Sequence, residues 1–237
     1  MYAEIPLESV RNPEIIFEDP DIVVVGKPAG MIVHSAPGHT DNSLADHLAK
    51  TRPGMYGCGS RERPGVVHRL DIGTSGVMVF AKTPRAYRAL REAFESHGRI
   101  RKTYLAVLHG APKAKTGRIE NTIGRKPWDS KRMAVDVPDG KRAVSEWTVL
   151  ARKSGVSLVE FVIETGRTHQ IRVHAAHLGC PIVGDDLYGD AAKDRRLRQK
   201  PARALLHAVE ISLPHPVTGE IVAFAAEPSA DIVYAIP

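Results

Sequence analysis

Asp71 is the residue of this sequence best suited to do chemistry. It lies in His68–Phe80, HRLDIGTSGVMVF, close behind His68 and Arg69. An ionised carboxylate acts as nucleophile or base without prior deprotonation. It then needs a nearby cation to hold its pKa low and fix its orientation. Arg69, Arg167 and Arg172 are available, and a bidentate arginine–carboxylate pair gives both effects. Arg172 is the odd one of the three. It falls in or beside the first turn of an expected helix, where acids are preferred to bases. Ser75, in the TSG turn, is a weaker nucleophile candidate because the GxSxG frame is missing. His169, His174 and His177 sit at offsets of five and three. No acid in that helix completes a ligand set, so packed histidines are the simpler reading and no metal site is expected. The chain has no P-loop or dinucleotide glycine loop and no HExxH.

These residues need rigid mounts. Behind Asp71, Gly73-Thr74-Ser75-Gly76 reads as a turn whose glycines permit left-handed backbone, and Val77–Phe80 as a buried strand. Upstream, Ile22–Val25 is a β-branched strand, GKPAG at 26–30 a stiff turn, and Met31–Val33 a resumed strand. Asp41 or Asn42 is expected to cap a short helix over 43–50. Thr83-Pro84 is a helix start, with Tyr87, Leu90 and Phe94 on one face, and Arg85, Arg88 and Arg91 elsewhere, at least some of them on a solvated face. Arg101–Leu108 reads as a strand with Tyr104 near its start. Ala111–Arg142 is polar, basic and punctuated by Pro and Gly, and is expected to form extended hairpins standing off the core. Val144–Leu150 and Val156–Ile163 read as paired strands. Thr168 is expected to cap a helix running to Leu178, with Gly179 ending it. Ala204–Ile211 and Glu220–Phe224 are the last strands, joined by a turn at 215–220.

The chain of 237 residues fits one catalytic-size domain. Its net charge of +6 favours a polyanionic partner. The charge is uneven. Bases outnumber acids seven to two over 82–102, eleven to five over 111–153 and six to one over 193–203, as a nucleic-acid-binding face would need if the fold gathers them. Cys58 and Cys180 have no CxxC or metal-ligand spacing, which points to a reducing compartment. The N-terminus lacks the pattern of a signal peptide, and no apolar run approaches membrane-spanning length. A cytoplasmic protein with no membrane partner is the expectation.

Three segments together resemble the motifs of RluA-type RNA pseudouridine synthases. They are HRLDIGTSGVMVFAK at 68–82, KTYLAVLHG at 102–110 and ETGRTHQIRVHAAHLGCPIVGDDLYG at 164–189. IVVVGKPAGMIVHS at 22–35 and LLHAVEISLPHPVTGE at 205–220 are similar to the family's first and closing motifs. The resemblance runs from about residue 15 onward. It implies an α+β fold, with a mixed, mainly antiparallel sheet flanked by helices and loops. It implies one catalytic domain, 15–237, behind an N-terminal extension, 1–14.

It further implies isomerisation of uridine to pseudouridine in ribosomal or transfer RNA, without metal or organic cofactor. By the same resemblance Asp71 is the catalytic aspartate, acting on the uracil ring, on the sugar, or as a base toward a sugar proton. Tyr104 stacks on the target base, and Arg172 is the ion-pair partner of Asp71. Arg69 fills the space left by the extruded base and His68 supports that loop. A flipped base must stay enclosed until it reattaches, which suits an apolar lining from Val77, Tyr104 and Ile171. The N-terminus is too short for the separate RNA-binding module of some relatives. RNA contacts are therefore expected from Arg167, from Arg125, Lys126, Lys131 and Arg132 in the basic excursion, and from the 193–203 segment. A monomer with no obligate protein partner is expected. Two positions depart from the family pattern: Gly26, where Asp or Asn is frequent, and Arg142, where Pro is frequent. A scaffold that binds RNA without catalysis and a Ser75 hydrolase are the competing readings.

Overall fold

The computed structural model describes residues 13–35, 43–96 and 98–235. They fall into two compact units, one within Met1–Arg101 and Ala208–Glu227, the other within Lys102–His207 and Pro228–Pro237. Most of the proposed N-terminal extension, and the expected caps Asp41 and Asn42, lie outside the described residues.

In the first unit, β1 (Glu14–Glu18) pairs antiparallel with β2 (Ile22–Lys27), and β2 with β3 (Ser75–Ala81). Strand β9 (Leu206–Pro214) follows β3 in the sheet, and β10 (Ile221–Ala225) pairs antiparallel with β9. Ile22–Val25 and every residue of β3 are buried, so these apolar runs form the centre of the layer. Helix α1 (Leu44–Thr51) is capped by Ser43, whose hydroxyl accepts from the Asp46 amide. Helix α2 (Pro84–Glu95) starts as the sequence predicts. Thr83 accepts from the Ala86 amide, and Leu90 faces the core. Arg85 is exposed on the solvated face, as expected, but is ion-paired there. It clamps Asp21 through Nε and Nη2 at 2.8 and 2.6 Å and holds that carboxyl down at about 2.

Met31–Val33 is not the expected strand. Gly30 turns the chain with φ 86, and the carbonyls of Ile32 and Val33 accept from the first amides of α1. Backbone groups engaged at a helix start cannot also join a ladder. Of the two turn glycines near Asp71, Gly76 has positive φ, 123°. It lies inside β3, where a Cβ would strike the Ala208 backbone, so the glycine serves close strand approach.

The second unit has strand order β4-β8-β7-β5-β6, all pairs antiparallel. The strands are β4 (Arg101–His109), β5 (Thr116–Lys126), β6 (Asp129–Val135), β7 (Lys141–Lys153) and β8 (Val156–Ile163). The basic excursion therefore forms the expected hairpin, β5–β6, but does not stand off the core. β5 pairs with β7 over Thr116–Ile123, and Ile123 packs with Ala143 and with Val173 of α3 (Gln170–His177). The apolar residues of β5 are too few to announce this, because only Ile119 and Ile123 turn inward. Helix α3 is entered from His169, not from Thr168. His169 has φ 57, and no side chain caps the first turn. Beyond the short α4 (Ala191–Asp194), Arg203 turns inward to bind Asp231 at 2.7 and 2.9 Å.

Candidate active site

In the first unit, Asp71 is half-buried at the start of the turn that leads into β3. Its carbonyl accepts from the Thr74 amide at 3.0 Å. The next carbonyl, of Ile72, accepts from the Gly30 amide at 2.8 Å and from Lys27 Nζ at 3.2 Å. Lys27 is 1% exposed, and its ammonium also donates to the carbonyls of Pro28 and Met31 at 3.0 and 2.8 Å. A buried ammonium is tolerable only when its donors are met, and here three carbonyls meet them. The GKPAG turn is thereby fastened to the backbone that carries Asp71. Position 26 does not require glycine, since an added Cβ would meet Glu14 at an ordinary 3.6 Å.

His68 supports the same loop. Its Nε2 accepts from the Val79 amide of β3 at 3.0 Å, so the proton of the neutral ring is on Nδ1. The ring stacks on Phe94 of α2, with centroids 4.6 Å apart. Arg69, between His68 and Asp71, is exposed. Ser75 is buried in β3, a poor place for a nucleophile that must meet a substrate.

In the second unit, Tyr104 is 8% exposed on β4, opposite Phe161 of β8. Arg172 is 4% exposed. Its Nε and Nη2 grip both oxygens of Asp185 at 2.7 Å, and Nη2 reaches Asp186 at 2.9 Å. Burial works to raise the Asp185 pKa. The hydrogen bonds and charge of Arg172, with the amides of Tyr188 and Leu187, carry it below the usual carboxylate range instead. The Arg172 Cζ also lies 5.3 Å from the centroid of the Tyr188 ring. The acids that answer the base in the first turn of α3 thus come from the GDDLYG loop that follows the helix.

Gln170 ties the motif loop down. Its Oε1 accepts from the Thr165 hydroxyl at 2.7 Å and the Arg167 amide at 3.0 Å. Its Nε2 donates to the Val144 carbonyl and the Ser145 hydroxyl, both at 2.9 Å. With the Ser145 oxygen accepting there, its proton goes to Nδ1 of His174 at 2.9 Å. His174 Nε2 then donates to Asn121 Oδ1 at 3.0 Å. Burial, and secondarily the charge of His177, hold the His174 pKa down at about 4. His169 goes elsewhere, to the Tyr188 hydroxyl at 2.8 Å, which also accepts from the Met133 amide of β6 at 2.8 Å.

The expected RNA contacts divide. Arg125, Lys126 and Lys131 are exposed around the tip of the β5–β6 hairpin, and Arg132 is half-exposed beside Asp129 at 3.6 Å. Arg167 donates through Nε to the Arg142 carbonyl at 2.8 Å, which fixes its stem. Nearby, burial and the charge of Arg167 lower the Lys102 pKa to about 8. Arg142, one of the departures from the family pattern, bridges Glu120 and Glu164 at 2.7 Å each. Sequence reasoning missed Lys27, Gln170, Asp185 and Tyr188. For Asp185 a signal existed, in the paired acids of GDDLYG beside an unanswered Arg172.

Residues 21–177 match a family model described as RNA pseudouridylate synthase. The chain is 41% identical over 224 residues to an uncharacterised RNA pseudouridine synthase of Synechocystis sp., covering 92% of this chain and 67% of that protein. It is 40% identical over 225 residues to the ribosomal large subunit pseudouridine synthase D of Zymomonas mobilis, covering 92% and 70%. The chain thus spans about two thirds of the curated relatives it matches, 63% for the Chloroflexus aurantiacus protein. Among solved structures, human RNA pseudouridylate synthase domain containing 4 is similar, with a TM-score of 0.73 at 27% identity, covering 94% of this chain and 91% of that one. No helix among the described residues is long and apolar enough to cross a membrane. With the motif residues carried on this sheet and these loops, the chain belongs to the RNA pseudouridine synthase family.

Proposed function

We propose that this chain isomerises specific uridines of RNA to pseudouridine, with residues 15–237 acting as one catalytic domain. Ribosomal RNA is the favoured substrate, since a relative at 40% identity is named for the large ribosomal subunit. Transfer RNA remains a second substrate class. The reaction breaks the C1′–N1 bond and forms a C1′–C5 bond, while the proton lost from C5 is balanced by one gained at N1. It needs no oxidant and no co-substrate.

The observation that carries the reading is the pre-set Arg172. Its guanidinium is oriented by Asp185 and Asp186. We assign to it the task of keeping the Asp71 carboxylate ionised and aligned. Asp71 then acts on the uracil ring, on the sugar, or on a sugar proton. Tyr104 stacks on the flipped base and assists loss of the C5 proton, with Val77 and Ile171 completing an apolar lining. Arg69 replaces the base in the RNA stack, where a planar cation can both stack and meet phosphate. His68 holds Arg69 and Asp71 in register. Arg167 and the hairpin cations contact the RNA backbone. Cys58 and Cys180 are buried free thiols, which suits a reducing cytoplasm, and we propose a monomer.

Tritium release from RNA labelled at uridine carbon 5 tests the chemistry. The protein is expected to release tritium, and Asp71→Asn is expected to release none while binding the same RNA with similar affinity. Full release by Asp71→Asn would overturn the role of Asp71. RNA binding without release by the unaltered protein would favour the non-catalytic scaffold.

A further inference from the structure

Trp128 is out of keeping with the needs of the fold. It sits at the tip of the β5–β6 hairpin, in the turn Lys126–Pro127–Trp128–Asp129. Its side chain is 104% exposed, so it buries nothing. Its φ of 66° puts a bulky residue in the left-handed region. The second central position of such a proline-led turn normally takes Gly or Asn, because a larger side chain is strained there. Exposure and strain both act against stability, and neither is returned by packing.

The surroundings indicate what the indole is for. Residues 125–132, RKPWDSKR, contain four cations and one acid. Arg125 is steadied by donating to the Ser130 carbonyl at 3.2 Å, and Lys126 faces Asp129 across the ladder. A flat aromatic face among phosphate-seeking cations suits a single-stranded nucleic acid, because every base offers a π face beside a charged backbone. A regular RNA helix would not accept a protruding indole, whereas a loop or bulge would.

We propose that Trp128 is a stacking platform for an unpaired base near the target uridine, with Arg125, Lys126, Lys131 and Arg132 holding the adjoining phosphates. This rests on RNA being the substrate. The contact selects unpaired structure and tolerates any base. It also bears on the second unit's chemistry, since β6 continues from the tip to Met133, whose amide binds the Tyr188 hydroxyl beside Arg172.

The test uses a short oligouridylate, its abasic counterpart and anionic phosphatidylglycerol vesicles. The oligouridylate is expected to quench the part of the tryptophan emission that Trp128→Phe removes. Trp128→Ala is expected to weaken oligouridylate binding about tenfold or more. It should leave binding of the abasic strand unchanged, and Trp128→Phe should keep part of the loss from appearing. Unaltered oligouridylate affinity in Trp128→Ala, with a native circular dichroism spectrum, would overturn the proposal. Quenching by vesicles in place of RNA would also overturn it and assign the tip to lipid headgroups. These readouts need no turnover. Quenching without tritium release would leave the platform and remove the enzyme, and release without quenching would do the reverse.

Discussion

His174 is buried with both ring nitrogens committed, Nδ1 to the Ser145 hydroxyl and Nε2 to Asn121. Its proton binds at about 4 in the folded chain against 6.5 for an ordinary histidine. Between those values the unfolded chain takes up more protons than the folded one, so protonation favours unfolding there. The stabilisation is complete above pH 6.5 and is lost as pH falls toward 4, by up to about 3 kcal/mol at 1.36 kcal/mol per unit. His174→Gln, which keeps a polar group without titrating, is expected to flatten the pH dependence of the urea midpoint in this window, at some cost in stability at pH 7. Parallel pH profiles for the two proteins would show that other groups carry the acid sensitivity. Asp71 and Arg69 stand out as candidates at this scale, because an acid and a base against a glycine turn form a local pattern. Lys27 was not. The carbonyl that makes it a clasp belongs to Ile72, and nothing near Lys27 in the sequence points there.

Among the elements, α3 illustrates how a helix carrying a key arginine is held without a capping side chain. Gln170, its first residue, uses its whole amide to join the loop before the helix to β7. Gln170→Ala would leave the Val144 carbonyl, the Arg167 amide and the Thr165 and Ser145 hydroxyls short of a partner in a buried place. The expected loss is about 2–4 kcal/mol by chemical denaturation. Gln170→Glu is expected to fare no better, since a carboxylate cannot donate to Val144. A loss below about 0.5 kcal/mol in either variant would mean that the loop is held by other contacts. The strands β2, β3, β4 and β8 were legible from apolar runs. The failure at Met31–Val33 has a physical cause: apolar, β-branched residues are needed equally by a buried helix entrance. The β5–β6 hairpin was legible, but its docking onto β7 was not, since the outward face of β5 is charged and its inward face holds few large residues.

For the molecule as a whole, composition announced a polyanionic partner but could not say which cations would meet it. Several are answered internally: Arg52 and Lys82 by Glu18, Arg85 by Asp21, Arg142 by Glu120 and Glu164, and Arg203 by Asp231. Exposed cations such as Lys126, Lys131, Arg195 and Arg198 are left to face solvent. Opposite charges far apart in sequence look the same in a composition whether or not the fold joins them. The glycine approach between β3 and β9 has a consequence for biosynthesis. Gly76 meets Ala208 across about 130 residues of chain, a long-range contact of the kind that forms late. A ribosome adding ~5–20 residues per second needs on the order of ten seconds to cover that distance. Through that interval, a strand buried along its length in the finished protein stands with one edge open to wrong partners. Ribosome-stalled chains ending before Ala208 are expected to be cut by protease within β3, and chains extended well past Glu227 to resist. Equal resistance in both would show that β3 does not wait for β9. On this expectation the mount of Asp71 is among the last parts of the nascent enzyme to become rigid, and the newborn chain needs protection from its neighbours more than the mature one does.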